Sequence, residues 1–167
     1  MTYEVKRNYL EITSIHDLKD NKKIYKDFTI TLLDPVDFQL NRFFYKNIGK
    51  NYKWVDRLVW SETKWIDYVS NRNVKTFILK NKNDLVGFFE SIFHIEKNEI
   101  EIAYFGVLEE YQNKKLGSYL LSEAIKKSFE NNIKRVWLHT CSTDHKNALN
   151  NYIARGMKIF KSETVII

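Results

Sequence analysis

The sequence predicts an α+β fold, one mixed sheet with helices on both of its faces. Three observations predict it. Short runs rich in β-branched and aromatic residues recur from Tyr3 to Ile167, separated by polar turns. Other segments carry apolar residues at helical spacing instead. Their order is strands and two helices, then an antiparallel meander, then strand–helix–strand–helix–strand. No period repeats and no linker divides the chain, so residues 1–167 read as a single domain.

Tyr3 to Ile12 alternates as an opening strand, and Ser14 to Lys23 is polar and turn-like. Ile24 to Leu33 is rich in Ile, Phe and Thr and reads as a second strand. Asp34-Pro35 offers a helix start, with aspartate at the cap and proline at the first helical position. That helix carries Val36, Leu40, Phe43, Phe44 and Ile48, and Gly49 ends it. Asn51 to Trp60 is aromatic without a clear period. Ser61 caps a short helix with Trp65, Ile66 and Val69 on its apolar side. Val74 to Leu79, Val86 to Ile95 and Ile100 to Val107 are strands, the last two joined by a tight turn at Glu96-Lys97-Asn98. From Leu116 the residues Leu116, Tyr119, Leu120, Ala124, Ile125 and Phe129 mark an amphipathic helix. Arg135 to Cys141 is a buried strand, Lys146 to Arg155 a helix closed by Gly156, and Met157 to Ile167 one or two closing strands.

At 44% hydrophobic residues the chain can build a core, and 15% aromatics with a single proline argue against disorder. The formal charge is +6, but lysines alternate with acids, as in KNKNDL, rather than gathering on one helix or tail. That pattern is a solvated surface and argues against nucleic-acid binding. No apolar leader follows Met1 and no apolar run approaches the ~18 residues of a membrane span. The expectation is a soluble, cytoplasmic protein without a membrane partner. Cys141 is the single cysteine, so no internal disulfide can form.

The chemistry centres on the turn between Tyr104–Val107 and the helix from Leu116. The first amides of a helix have no intrahelical acceptor and its dipole favours negative charge, so Gln112 to Ser118 is an anion-binding turn with two added lysines. Neither a Walker loop nor a three-glycine dinucleotide motif is present. In the later segment TDHKNALNNYIARGMKIF, Ala148, Tyr152 and Gly156 are each four apart, which puts Ala148 and Tyr152 on one helix face.

The two segments together resemble the GNAT superfamily of N-acetyltransferases. The family pattern Gln/Arg-x-x-Gly-x-Gly/Ala is matched by Gln112-x-x-Lys115-x-Gly117, and Ala-x-x-x-Tyr-x-x-x-Gly-Phe by Ala148-x-x-x-Tyr152-x-x-x-Gly156-Met157. The stretch from Asn41 to Trp65 is also similar to a bacterial subgroup of unassigned substrate. Lys115 replaces a glycine of the pattern, Asn113 stands where glycine is common, and His145 where asparagine is common. A side chain at Lys115 either crowds a pyrophosphate or pairs with it.

The resemblance implies a GNAT-like, mostly antiparallel central sheet and transfer of acetyl from acetyl-CoA to an amine by direct attack in a ternary complex. A CoA-binding or regulatory module of the same fold, weak or inactive in catalysis, is the alternative. In the implied site, backbone groups of Phe105, Gly106 and Val107 meet the pantetheine and acetyl carbonyl. The amides of Gln112, Asn113, Lys114, Lys115, Leu116, Gly117 and Ser118 hold the pyrophosphate, with His145 and Ala148 beside the arm. Tyr152 protonates the departing thiolate. The region of Tyr45, Trp54, Asp56, Arg57 and Trp60 forms a wall of the acceptor groove, where Asp56 attracts a cationic amine.

The base has two candidates. Period-two alternation sets Glu99, Glu101, Ala103 and Phe105 on one face, and Glu101 occupies the position of the base in histone-type relatives. His139, on the strand it shares with Cys141, is the rival. A metal site at His139, Cys141 and His145 lacks a fourth ligand and fits no usual spacing.

Overall fold

In the computed structural model, which describes residues 1–23 and 25–167, the opening strand β1 (Glu4–Ile12) alternates as its sequence does. Leu10 and Ile12 enter the core, while Tyr9 turns to the opposite face against Trp137 and His139. The second strand, β2, is shorter than the composition suggests, covering Phe28–Leu32. Ile24 lies outside the described residues. Tyr25 is not in the strand because its ring packs on Tyr119, 4.7 Å between centroids, and its hydroxyl donates to carbonyls of Lys114 and Lys115.

Helix α1 (Phe38–Gly49) begins later than the Asp34-Pro35 pair indicates. The cap is Asp37, whose carboxylate accepts from the Gln39 amide at 2.9 Å. Ser61 does cap α2 (Glu62–Ser70), with Trp65 and Val69 buried and Ile66 left exposed. Then come β3 (Val74–Asn81), β4 (Asp84–His94) and β5 (Glu99–Val107), an antiparallel meander. Helix α3 (Leu116–Phe129) buries Leu116, Leu120, Ala124 and Ile125 of the expected stripe together with Leu121, while Tyr119 and Phe129 are partly buried. Strand β6 (Arg135–Cys141) follows, then α4 (Ala148–Ala154), which starts two residues later than read because His145 organises the preceding turn. Its Nδ1 accepts from the Asn147 amide and its carbonyl from the Ala148 amide. Gly156, at φ 103°, reverses the chain where a Cβ would run into the Asp17 carbonyl. A single strand, β7 (Lys158–Ile166), closes the sequence.

Among the described residues seven strands form one sheet in the order β2-β3-β4-β5-β6-β1-β7, antiparallel throughout except for β5 beside β6. The α+β expectation therefore holds, with helices on both faces. Phe89, Ile102 and Val136 pack with Leu116, Leu120 and Ile125 of α3, while Phe88 and Ile78 pack with Phe44 and Ile48 of α1.

Two irregularities shape the centre of the sheet. Glu90 pairs with Tyr104 and Ser91 with Ile102, so Ala103 is an extra residue on β5 and the strand bulges there. The bulge resets the alternation. Phe105 packs on the α3 face and Tyr104 on the α1 face, so the single face expected for Glu99, Glu101, Ala103 and Phe105 does not persist past Ala103. Strands β5 and β6 pair only from Glu99 to Glu101 against Arg135 to Trp137. Beyond that they splay apart, which frees one edge of Ile102–Val107.

Candidate active site

The splay opens into a cavity of about 480 Å³ between the ends of β5 and β6, floored by the α3 and α4 N-termini. Most residues read from the sequence as cofactor contacts line it: Phe105, Gly106 and Val107 on the strand, Gln112, Asn113 and Lys115 to Ser118 at the turn, and His145 and Ala148 opposite. Lys114 is the exception, exposed, with its ammonium over the Tyr111 ring.

The turn keeps the conformation that glycine would favour. Asn113 has φ 62° and Lys115 φ 60°, both left-handed. Such residues cost about 1–2 kcal/mol each relative to a right-handed conformation, less for asparagine. The positions are held from outside the turn. Tyr25 and Asn21 donate to the Lys115 carbonyl at 3.0 and 3.4 Å, and Asn21 also donates to Ser118 Oγ at 2.7 Å. Gln112 braces the turn through Nε2, which donates to the Val107 carbonyl and the Tyr52 hydroxyl. Among the described residues, no acceptor meets the amides of Asn113 to Ser118, and Lys115, at the α3 N-cap, makes no side-chain cap bond. Successive free amides around left-handed residues at a helix start form a concave anion receptor.

Tyr152 lies in α4 with 8% of its surface exposed, its ring edge-on to Phe105, and it lines the cavity. Burial, aided by the Asp144 charge, pushes its phenol well above the ordinary value of 10.0, so it stays protonated at neutral pH. Asp144 is itself held by Thr140 Oγ1, the Cys141 amide and Trp54 Nε1.

The two base candidates separate in space. His139 lines the cavity from β6. His139 is solvent-exposed on the open side of the cavity, and the partial desolvation there, then the Arg7 charge, lowers its imidazole from 6.5, against the opposing pull of Glu101, Asp144 and Asp56. The ring is therefore neutral at pH 7. Glu101 is not part of the lining; its carboxylate sits 2.9 Å from His94 Nε2, where β5 and β6 begin to part.

The five residues read as an acceptor wall also divide. Trp54 and Asp56 line the cavity, and Asp56 Oδ2 accepts from the Tyr104 hydroxyl at 3.2 Å. Tyr45, 1% exposed, lies in the core instead, because its hydroxyl is needed as acceptor for the buried Arg57 amide. Arg57 is 6% exposed and points inward to Glu90, while Trp60 packs on Trp65 and Tyr68. None of these three reaches the cavity wall. Sequence reasoning missed Arg7, Tyr52, Tyr104 and Asp144, which do. The only hint for Asp144 was its place beside His145; Arg7 carried none, since β1 reaches this site only by pairing with β6. Among the described residues no group of three or more His, Cys, Asp or Glu is placed to hold a metal ion. None of the helices there is long and apolar enough to cross a membrane.

Comparison with known proteins decides the family. The family model described as acetyltransferase (GNAT) family matches residues 38–157. The chain belongs to the GNAT acetyltransferase family. The span takes in α1 to Met157, and so both the anion turn and the Ala148–Gly156 segment that carried the resemblance. A comparison with curated protein sequences finds none that matches.

Solved structures share the GNAT fold at low identity. A GCN5-related N-acetyltransferase from Kribbella flavida superposes with a TM-score of 0.68 and 15% identity, over 99% of this chain and 58% of that one. One from Sphaerobacter thermophilus gives 0.73 and 13%, over 97% and 50%. The chain thus spans 58% of the length of the first and 50% of the second. An aminoglycoside acetyltransferase from an uncultured soil metagenomic sample gives 0.65 and 17%, over 80% and 90%. At such identities the likeness speaks for the fold.

Proposed function

We propose that the chain is an N-acetyltransferase that moves acetyl from acetyl-CoA to an amine acceptor by direct attack in a ternary complex. The observation that carries this reading is the pairing of a donor-rich anion turn with a buried, protonated tyrosine across one cavity.

The cavity fits such a cofactor. The unpaired amides from Asn113 to Ser118 are donors for a pyrophosphate, and the left-handed backbone at Asn113 and Lys115 gives the close approach that glycine gives elsewhere. The freed edge of Phe105, Gly106 and Val107 supplies backbone groups for an amide-bearing arm, with His145 and Ala148 as the opposite wall. Acetyl-CoA, when bound, supplies an activated acyl group and a thiolate leaving group.

The remaining steps belong to the chain. An amine is protonated at neutral pH, so attack needs an acceptor for that proton. His139 takes this role: it faces the cavity and is neutral. Glu101 acts on it through its charge from the mouth of the splay. Tyr152 donates to the leaving sulfur, and nothing among the described residues competes for its hydroxyl. Asp56 and Trp54 stand on the acceptor side, where a carboxylate draws a cationic amine and an indole gives it a surface. The cytoplasm, where acetyl-CoA and reduced Cys141 coexist, is the compartment this reading implies.

The test is direct. Incubation with acetyl-CoA and a panel of primary amines, monosaccharide amines and peptide N-termini should release thiol and yield a product heavier by one acetyl group. Absence of thiol release across the panel, with cofactor binding intact, would favour the catalytically inactive CoA-binding module.

A further inference from the structure

One charged pair lies outside the proposed chemistry and is fully enclosed. Glu90, in the middle of β4, has no exposed surface, and its Oε1 is 2.9 Å from Arg57 Nη1. Tyr68 donates to the same oxygen at 2.8 Å, and Asn41 of α1 donates to Oε2 at 2.7 Å. The guanidinium is ringed by aromatic faces: its Cζ lies 4.3 Å from the centroids of Tyr68 and Tyr104, 4.7 Å from Trp60 and 5.5 Å from Trp65.

The pair gathers two helices, two strands and the aperiodic segment 51–60 at one point. Segment 51–60 has no strand or helix of its own to hold it. Beside the bonds that Tyr52 makes with Gln112 and Trp54 with Asp144, its inward anchors are the Arg57 side chain and the Arg57 amide, which donates to the Tyr45 hydroxyl at 3.0 Å. Trp54 and Asp56 precede that anchor in the chain and enter the cavity. Both also touch Tyr104, which is the register partner of Glu90 at the β5 bulge.

We propose that the Glu90–Arg57 pair is the positioning device of the acceptor wall, fixing through Tyr104 and segment 51–60 where Trp54 and Asp56 meet the acceptor. Neither residue touches the cavity, so neither is catalytic. A buried pair is a poor route to stability, since its desolvation offsets the attraction, and apolar replacements of similar volume are often neutral. What it supplies here is direction. A guanidinium that must reach one carboxylate inside an aromatic ring admits one placement of its chain segment, whereas an apolar anchor admits several. That the wall serves an amine rests on the acetyl-transfer reading; that the pair places the wall does not.

The experiment compares the wild type with Glu90→Gln and with the paired change Arg57→Met and Glu90→Gln, whose uncharged amide still gives Tyr68 and Asn41 a hydrogen-bond partner, each labelled with 5-fluorotryptophan and also followed by amide exchange. Glu90→Gln strands a buried cation and is expected to unfold at lower temperature. The paired change removes both charges and keeps the volume, so it is the decisive variant. In it the melting temperature is expected near that of the wild type. The Trp54 fluorine resonance, assigned with Trp54→Phe, shifts toward the solvent value while that of Trp137 stays. Exchange of the amides in 51–60 becomes about tenfold faster with α3 unchanged. An unmoved Trp54 resonance with wild-type exchange would overturn the proposal, as would equal acceleration in every segment, which marks a general stabiliser. Acetyl-CoA is titrated in parallel against the wild type. Its failure to raise the melting temperature removes the acetyl-transfer reading and leaves the fluorine and exchange results to decide the pair.

Discussion

Tyr152 is buried and its carbonyl accepts from the Met157 amide, but its hydroxyl has no hydrogen-bond partner among the described residues, which separates its chemistry from its packing. Tyr152→Phe removes one hydroxyl and no contact, so stability should change by less than about 0.5 kcal/mol. Turnover with acetyl-CoA and an active amine should fall by about 10²–10⁴, the usual worth of a positioned acid, read as kcat at saturating substrate. On the proposed reading His139 sets the pH dependence. Its pKa is depressed below 6.5 in the fold, so the neutral form is favoured there. The rate should be level from neutral pH down to about 6.5 and fall only below it, and His139→Gln should lose both the limb and most of the rate. The stability linkage has the same sign. Below 6.5 the unfolded chain takes up the proton more readily, so acidification removes this group's contribution. At this scale the sequence was partly legible. The tyrosine was readable because motif spacing carries through a helix, and the neutral histidine was not, because its environment comes from β1 and from carboxylates remote in sequence.

The strand-to-helix turn is the element on which the proposed cofactor binding rests. Lys115, in left-handed conformation, is strained where the family pattern has glycine. Lys115→Gly should therefore stabilise the unliganded chain by about 1 kcal/mol, or about 2–4 °C in melting temperature for a chain of this size. A lower melting temperature would show that the turn is not held in the left-handed form. Composition alone posed the question of whether Lys115 blocks the turn. The backbone angle answers half of it, since the chain path is that of a glycine turn held by Tyr25 and Asn21 from the β1–β2 connection. No local pattern could reveal those partners, which lie about ninety residues away. The helices themselves were legible where periodicity and a cap agreed, as in α2, or where periodicity alone was strong, as in α3. Their ends shifted where a second capping residue competed, as Asp37 does at α1.

At the scale of the molecule the sheet does two things at once. Its α3 face is an apolar core, and its centre is opened by one extra residue at Ala103 and by the parting of β5 from β6. The fold class was readable from element order, because strand–helix alternation after an antiparallel meander admits few arrangements. The insertion of β1 between β6 and β7 was not, since pairing partners distant in sequence leave no mark on local composition. Nor was the enclosed Glu90, although one acid in an otherwise apolar central strand was a signal that burial demanded a partner. The account stands on the opening in the sheet being a cofactor site. Thermal melting of the wild-type chain against rising acetyl-CoA tests that most directly. The melting temperature is expected to climb steadily with the logarithm of concentration, reaching a stabilisation of about 2.7 kcal/mol at a hundredfold excess over the dissociation constant. A melting temperature unmoved at millimolar acetyl-CoA would contradict it.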